Sequence, residues 1–233
     1  MLLPGPLRGI LRGKGSPSVS GGAPQTGRAP IPARKPAGTD AIVTRPSRGL
    51  EEFFSYIRDQ SGLTILDLGG ATQQNVNFIT SLGHRLYSEN FLQILEETFG
   101  VDDTVDQSNP GRIDYFLRQT LDYPEGQFDG VLIWDVLEYL APALLAAVVE
   151  RLHKVVRPKS YMLAFFHSDD KLQIVPTYTF RIENKNALQV VQHGERRPAQ
   201  LFNNRRLEGL FGGFESVKFF LTRERLRELI VKV

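Results

Sequence analysis

Short apolar runs and amphipathic stretches alternate five times between residues 47 and 167, and that alternation restricts the chain to few folds. Ser47 is placed to cap a helix whose Leu50, Phe53, Phe54 and Ile57 follow helical spacing. "LTILDL" (63–68) then reads as a buried strand, and a helix over about 73–82 stops at Gly83. "HRLYSE" (84–89) is the second strand, with "NFLQILEETFG" as its helix, and "RIDYFLRQ" (112–119) is read as a third. "FDGVLIW" (128–134) is apolar almost throughout. Leu144, Leu145, Val148, Val149, Leu152, Val155 and Val156 form one helical stripe before Pro158, and "YMLAFFH" (161–167) is the next buried strand. Such alternation builds an α/β domain around a doubly wound, mostly parallel sheet with helices on both faces. After His167 the pattern changes to a strand pair ("TYTFRIEN", "ALQVVQH"), a short helix ("RRLEGLF") and two closing strands (214–233). The full expectation is a seven-stranded sheet with an antiparallel C-terminal strand.

Residues 1–48 do not share this pattern. They are crowded with Pro, Gly, Ala and Ser and bury too little to offset chain entropy, so they are read as a disordered tail ahead of a domain over 49–233. Eight basic residues face only Asp40 in that tail, a net charge of +7, which leaves −5 for the remaining residues. The folded part is therefore mildly acidic, which argues against generic nucleic-acid binding. No run reaches the ~18 apolar residues of a membrane span. With no cysteine there is no disulfide framework or thiolate chemistry, and cytoplasm is the default compartment.

In an open α/β sheet, ligands collect at the carboxyl ends of the strands. The loop there, Asp67-Leu68-Gly69-Gly70-Ala71, has an acid followed by glycines. A dinucleotide fingerprint would need glycine at the positions of Gly69, Ala71 and Gln74, and two of the three fail; no triphosphate-binding loop is present either. A nicotinamide-dependent oxidoreductase is disfavoured on that ground.

Asp67-x-Gly69, Glu89 at the end of the second strand, and "FDGVLIWDVLEYL" (128–140) together resemble the class I S-adenosylmethionine-dependent methyltransferases, of the type 11/12-like kind. The resemblance spans about residues 50–233 and implies a Rossmann-like fold, S-adenosylmethionine as cofactor, and methyl transfer by in-line displacement to an acceptor, taken to be a small molecule. It implies cofactor contacts from Asp67, Gly69, Gly70 and Ala71 at the amino-acid end and from Glu89 at the ribose diol. Gln119 or Asp122 would meet the adenine, with Leu121 or Tyr123 lining the ring, and Trp134 would stack on adenine or on a substrate ring. Gln73, Gln74 and Asn75 would add amides near the ligand carboxylate.

Asp135 and His167, at the ends of the fourth and fifth strand segments, are the candidate catalytic residues that orient or deprotonate an acceptor. A metal site from His167, Asp169 and Asp170 matches no ligand spacing. Ala71 and Tyr139 stand where the family usually has glycine and histidine. They keep open an alternative: a catalytically inactive domain that retains the fold to bind the cofactor or a protein.

Overall fold

A computed structural model describes residues 42–100, 106–169, 172–220, 222 and 226–233. The tail expectation for residues 1–41, and Asp170 of the metal reading, lie outside the described residues.

The chain runs β1 (Ile42–Pro46), α1 (Arg48–Ile57), β2 (Thr64–Asp67), α2 (Gln73–Ser81), β3 (Arg85–Ser88), α3 (Phe91–Phe99), α4 (Pro110–Thr120), β4 (Phe128–Trp134), a short 3-10 turn (Val136–Tyr139), α5 (Pro142–Val155), β5 (Val156–His167), β6 (Val175–Asn184), β7 (Ala187–Arg196), α6 (Asn204–Leu210), β8 (Ser216–Phe220) and β9 (Leu226–Lys232). Six strands form the central sheet in the order β3-β2-β4-β5-β9-β8. The first four are parallel, and β9 joins β5 antiparallel. The doubly wound α/β class is as the alternation predicts, with six strands instead of seven.

The missing strand is "RIDYFLRQ", which lies in α4. Asn109 caps that helix through Arg112 N–H, Pro110 opens it, and Phe116 is buried on its inner side. The span 1–48 also needs correction at its end. Residues 42–46 are a strand, and Ser47 accepts a hydrogen bond from Leu50 N–H to cap α1.

Strand residues alternate between two cores, as a two-residue side-chain period requires. Leu66, Val131, Ile133, Met162 and Phe166 face a core shared with α3, α4 and α5. Ile65, Leu132, Trp134, Leu163 and Phe165 face a second core completed by α1, α2 and a separate sheet ordered β1-β7-β6. The strand pair after His167 therefore does not extend the central sheet. It packs across one face, and Phe180, Ile182, Leu188 and Val190 are its buried contribution.

A buried ion pair ties the two sheets together. Glu228 on β9 is 0 % exposed and accepts from Arg45 Nη2 at 2.5 Å, Ser47 Oγ at 3.0 Å and Gly49 N–H at 2.7 Å. A carboxylate at this depth is tolerable only with such pairing. No helix among the described residues is long and apolar enough to cross a membrane.

Candidate functional site

The loop after β2 sits at the carboxyl end of the sheet, where Asp67 is fully buried. Its carboxylate accepts from Gly69 N–H at 2.8 Å, Trp134 Nε1–H at 2.8 Å and Asn75 Nδ2–H at 3.3 Å. Burial pushes the Asp67 pKa up, and these three donors oppose the shift. The next two loop amides are also engaged. Gly70 N–H donates to the Glu89 carbonyl at 3.0 Å, and Ala71 N–H to Ser88 Oγ at 2.6 Å.

Gly70 holds φ +74, a conformation that glycine adopts without steric cost. Ala71 lies outside the left-handed region, so its methyl group is accommodated. That explains how the loop tolerates alanine at 71.

Trp134 ends β4 with φ +58, where the register against β5 shifts. For a bulky side chain this backbone is costly, of order 1–3 kcal/mol, and it persists only when the surroundings enforce it. Here they do. The indole bonds Asp67, and it stacks on Phe180 of β6 with ring centroids 5.2 Å apart and planes 6° from parallel. It also lies directly against the loop: a Cβ added to Gly69 would sit 2.5 Å from Trp134 Cδ1.

The crevice between Asp67, Gly70, Asn75, Trp134, Asp135 and Phe180 is accordingly reduced to about 20 Å³. That is room for about one water molecule. Strand β6 is pinned there by α2. Asn75 donates to the Phe180 carbonyl at 3.0 Å and accepts from Ile182 N–H at 2.8 Å, while Gln74 Nε2 donates to the Ile182 carbonyl at 3.0 Å. Gln73 is exposed and bonds Asn77. The amides expected to serve a ligand carboxylate are thus spent on holding β6 or on the surface of α2.

Glu89 follows β3, half-buried, one strand over from Asp67. It accepts a short hydrogen bond from the Tyr123 hydroxyl. Burial, followed by that carboxylate, pushes the Tyr123 pKa up. Tyr123 packs edge-on against Tyr87 and Phe128, so aromatic faces border the acid. Of the segment expected to meet an adenine, Tyr123 is the residue placed beside Glu89. Gln119 is exposed on α4, and Asp122 is exposed with Arg151 at 4.0 Å.

Past Trp134, a second polar cluster is buried between the 3-10 turn and the end of β5. Asp135 makes no capping bond to the turn that follows it. Burial, with Glu138 adding to it and His167 opposing, pushes its pKa up to about 7. Glu138 binds His167 twice: Oε1 accepts its backbone N–H at 2.7 Å and Oε2 meets Nδ1 at 2.5 Å. The structure therefore brings Asp135 and His167 into one cluster. Sequence reasoning missed the acid between them, although it is the Glu of "DVLEYL", three residues beyond Asp135.

A cleft of about 590 Å³ opens nearby between the start of α3 and the β6–β7 pair, lined by Asn90, Gln93, Thr177, His193 and Arg196. Arg196 bonds Glu96 at 2.8 Å and lies over the Tyr139 ring at 5.2 Å, bridging the cleft to the cluster. Among the described residues no group of three or more potential metal ligands comes together.

No family model matches the chain, and no curated protein does. Solved structures do. A Clostridium acetobutylicum S-adenosylmethionine-dependent methyltransferase aligns over 80 % of this chain and 91 % of its own at 12 % identity and a TM-score of 0.46. A SAM-dependent methyltransferase from Archaeoglobus fulgidus aligns over 79 % and 92 % at 16 % identity and a TM-score of 0.45. The Burkholderia thailandensis 1,6-didemethyltoxoflavin-N1-methyltransferase aligns over 79 % and 76 % at 13 % identity and a TM-score of 0.43.

Proposed function

We propose that residues 42–233 form an S-adenosylmethionine-binding domain that transfers the donor's methyl group to a small-molecule acceptor. One arrangement carries the reading. Two acids stand at the carboxyl ends of adjacent parallel strands, Asp67 ending β2 and Glu89 just after β3, and flank a glycine turn that leads into α2. A nucleoside joined to an amino acid carries a diol for the one acid and a charged end for the turn beside the other.

The residues fit the nucleoside half of the donor directly. Glu89 is an acceptor-only group suited to a ribose diol, and Tyr87 and Tyr123 supply aromatic faces beside it. The amino-acid half belongs at Gly69 and Gly70, with Asp67 behind them. There the crevice of about 20 Å³ is far smaller than the few hundred Å³ that a ligand of this size fills. Binding therefore requires Trp134 and Phe180 to withdraw, and the cost of that withdrawal lowers the apparent affinity by the fraction of open molecules.

S-adenosylmethionine supplies an electrophilic methyl carbon on a sulfonium. This chain's part is alignment: Glu89 fixes one end, the glycine turn fixes the other, and the acceptor approaches from the cleft beside α3. Positioning of this kind supplies much of the rate in a displacement that needs no metal or acyl intermediate. The neighbouring Asp135 and His167 are assigned to the acceptor side.

A second reading is favoured by the same crevice. Three successive loop donors are internally satisfied and two stacked rings fill the space behind them, as in a domain that keeps the fold for binding without turnover. Calorimetry on the full chain separates the readings. Binding of S-adenosylmethionine and S-adenosylhomocysteine, with none of NAD, supports the donor site; transfer to an acceptor then distinguishes an enzyme from a cofactor-binding relic. No binding of any of the three leaves a protein-binding domain.

A further inference from the structure

Three of the few buried polar side-chain atoms with no hydrogen-bond partner among the described residues are His167 Nε2, Asp135 Oδ2 and Tyr139 Oη. All three residues belong to the cluster at the carboxyl ends of β4 and β5, and each is at most 3 % exposed. The charges of Glu138 and His167 both act on the Asp135 carboxyl, and those of Asp135 and Glu138 on the Tyr139 hydroxyl, so the groups lie within electrostatic reach of one another.

Glu138 accounts for the other half of the histidine. Its two oxygens take the backbone N–H at 2.7 Å and the Nδ1 position at 2.5 Å. A carboxylate that only accepts would place the proton on Nδ1 and leave Nε2 as the acceptor nitrogen of the ring. Glu138 is itself fixed, because its carbonyl accepts from Ala199 N–H at 2.9 Å and Gln200 N–H at 3.4 Å. A histidine buried for packing alone would ordinarily have both ring nitrogens satisfied. This one has a rigid acceptor on one side and an unspent lone pair on the other. Tyr178 of β6 lies over the imidazole, with ring centroids 6.0 Å apart. Tyr178 and Phe180 stand two residues apart on one strand, so the segment that covers the glycine crevice also covers the histidine.

We propose that His167 is the general base of the transfer, that Glu138 is its positioning residue, and that the methyl acceptor is therefore a hydroxyl. The proposal rests on the methyl-transfer reading above. As the acceptor oxygen forms its bond to the methyl carbon, the carbon–sulfur bond breaks with its electron pair returning to sulfur. The hydroxyl proton passes to His167 Nε2, and the resulting imidazolium is paired with Glu138. An amine attacks through a lone pair it already has and sheds its proton afterwards; a hydroxyl gains most from a base in the step itself.

The first test needs no cofactor. NMR of the imidazole nitrogens in the full chain, assigned with a His167→Asn variant, is expected to show the Nδ1–H tautomer at His167. Glu138→Gln offers one acceptor oxygen where two donors need one, so it is expected to shift the ring toward Nε2–H. An Nε2–H tautomer in the native protein, or no change in Glu138→Gln, overturns the proposal. The second test offers S-adenosylmethionine with a panel of phenols and alcohols, and separately with pyridine, which has no proton to lose. Transfer to a hydroxyl that slows by about 10²–10⁴-fold in His167→Asn supports the base. Transfer to pyridine that slows in His167→Asn as much as transfer to a hydroxyl, or a bound donor with no hydroxyl methylated, overturns the proposal. Failure of S-adenosylhomocysteine to bind removes the methyl-transfer reading, and this proposal with it, whatever the tautomer.

Discussion

Trp134 and Phe180 stack 5.2 Å apart with planes 6° from parallel, although they belong to different sheets and stand 46 positions apart. Their contact closes the crevice beside the glycine turn and makes the second sheet part of its lining. Trp134 is also the only tryptophan in the chain, so its fluorescence reports on that crevice alone.

Removing Phe180 should open the crevice. If closure reduces affinity by the fraction of molecules that are shut, Phe180→Ala raises the affinity for S-adenosylhomocysteine while lowering fold stability by about 3–5 kcal/mol, the usual cost of emptying a buried phenylalanine site. Titration in the native protein should shift the Trp134 emission to the red as the indole leaves its dry stack. Calorimetry and emission spectra check both. Weaker binding in the variant would mean that Phe180 supports the ligand and does not exclude it.

Much of this architecture is legible in the residue order, because its causes are local. Ser47 caps α1, Gly83 at φ +80 follows α2, and the apolar runs of β2, β4 and β5 need only a period and a length to be recognised. Strand β1 is different. Ile42 and Val43 are exposed, and the strand is held by pairing with β7 and by the bond from Arg45 to Glu228, nearly the whole domain away. No local window contains that. Segment 112–119 was within reach. Ile113, Phe116 and Leu117 stand at i, i+3 and i+4 behind an Asn-Pro start, which is helical spacing. At the site, Asp67, Glu89, Asp135 and His167 are each marked by standing at a strand end. Their partners Trp134, Tyr123 and Glu138 are set by distances between elements, which one sequence does not encode in any spacing.

The Glu228 ion pair is a stability element. Glu228→Ala would leave Arg45 buried beside Ser47 and Gly49 without the carboxylate that all three share. Breaking a buried pair from one side costs about 3–5 kcal/mol. Urea unfolding should show that loss, with limited proteolysis exposing the segment around β1 first. A loss below about 1 kcal/mol, typical of an exposed pair, would show that the pair is solvated in solution.

Asp135 should make stability depend on pH in a definite direction. Its carboxyl is raised from 3.8 to about 7, chiefly by burial, with Glu138 reinforcing and His167 opposing the shift. Between those values the unfolded chain has lost the proton that the folded chain retains, so stability falls as pH rises from about 4 to about 7 and levels off above. Asp135→Asn removes this term. The variant should gain stability relative to the native protein at pH 8, on the order of a few kcal/mol, and lose that advantage at pH 4. Thermal melts at the two pH values decide it; a difference independent of pH would assign the effect to packing.

Glu89 offers the most direct check on the ligand class. Its carboxylate is half-buried and reaches the larger core only through its bond to Tyr123, which packs at that core's edge. Glu89→Ala should therefore leave the melting temperature nearly unchanged while weakening S-adenosylhomocysteine by about 1.5–3 kcal/mol, the range for hydrogen bonds to a charged group. Tyr123→Phe should weaken it less, because it removes a neighbour of the carboxylate and not the carboxylate. 5′-Methylthioadenosine, with a methylthio group in place of homocysteine, keeps the diol and drops the group meant for Gly69 and Gly70. Its binding should respond to Glu89→Ala and not to Phe180→Ala, since the nucleoside side needs no ring to move. Equal sensitivity to both substitutions would place the ligand across the stacked pair from the start, and Glu89 would then be a partner of Tyr123 and nothing more.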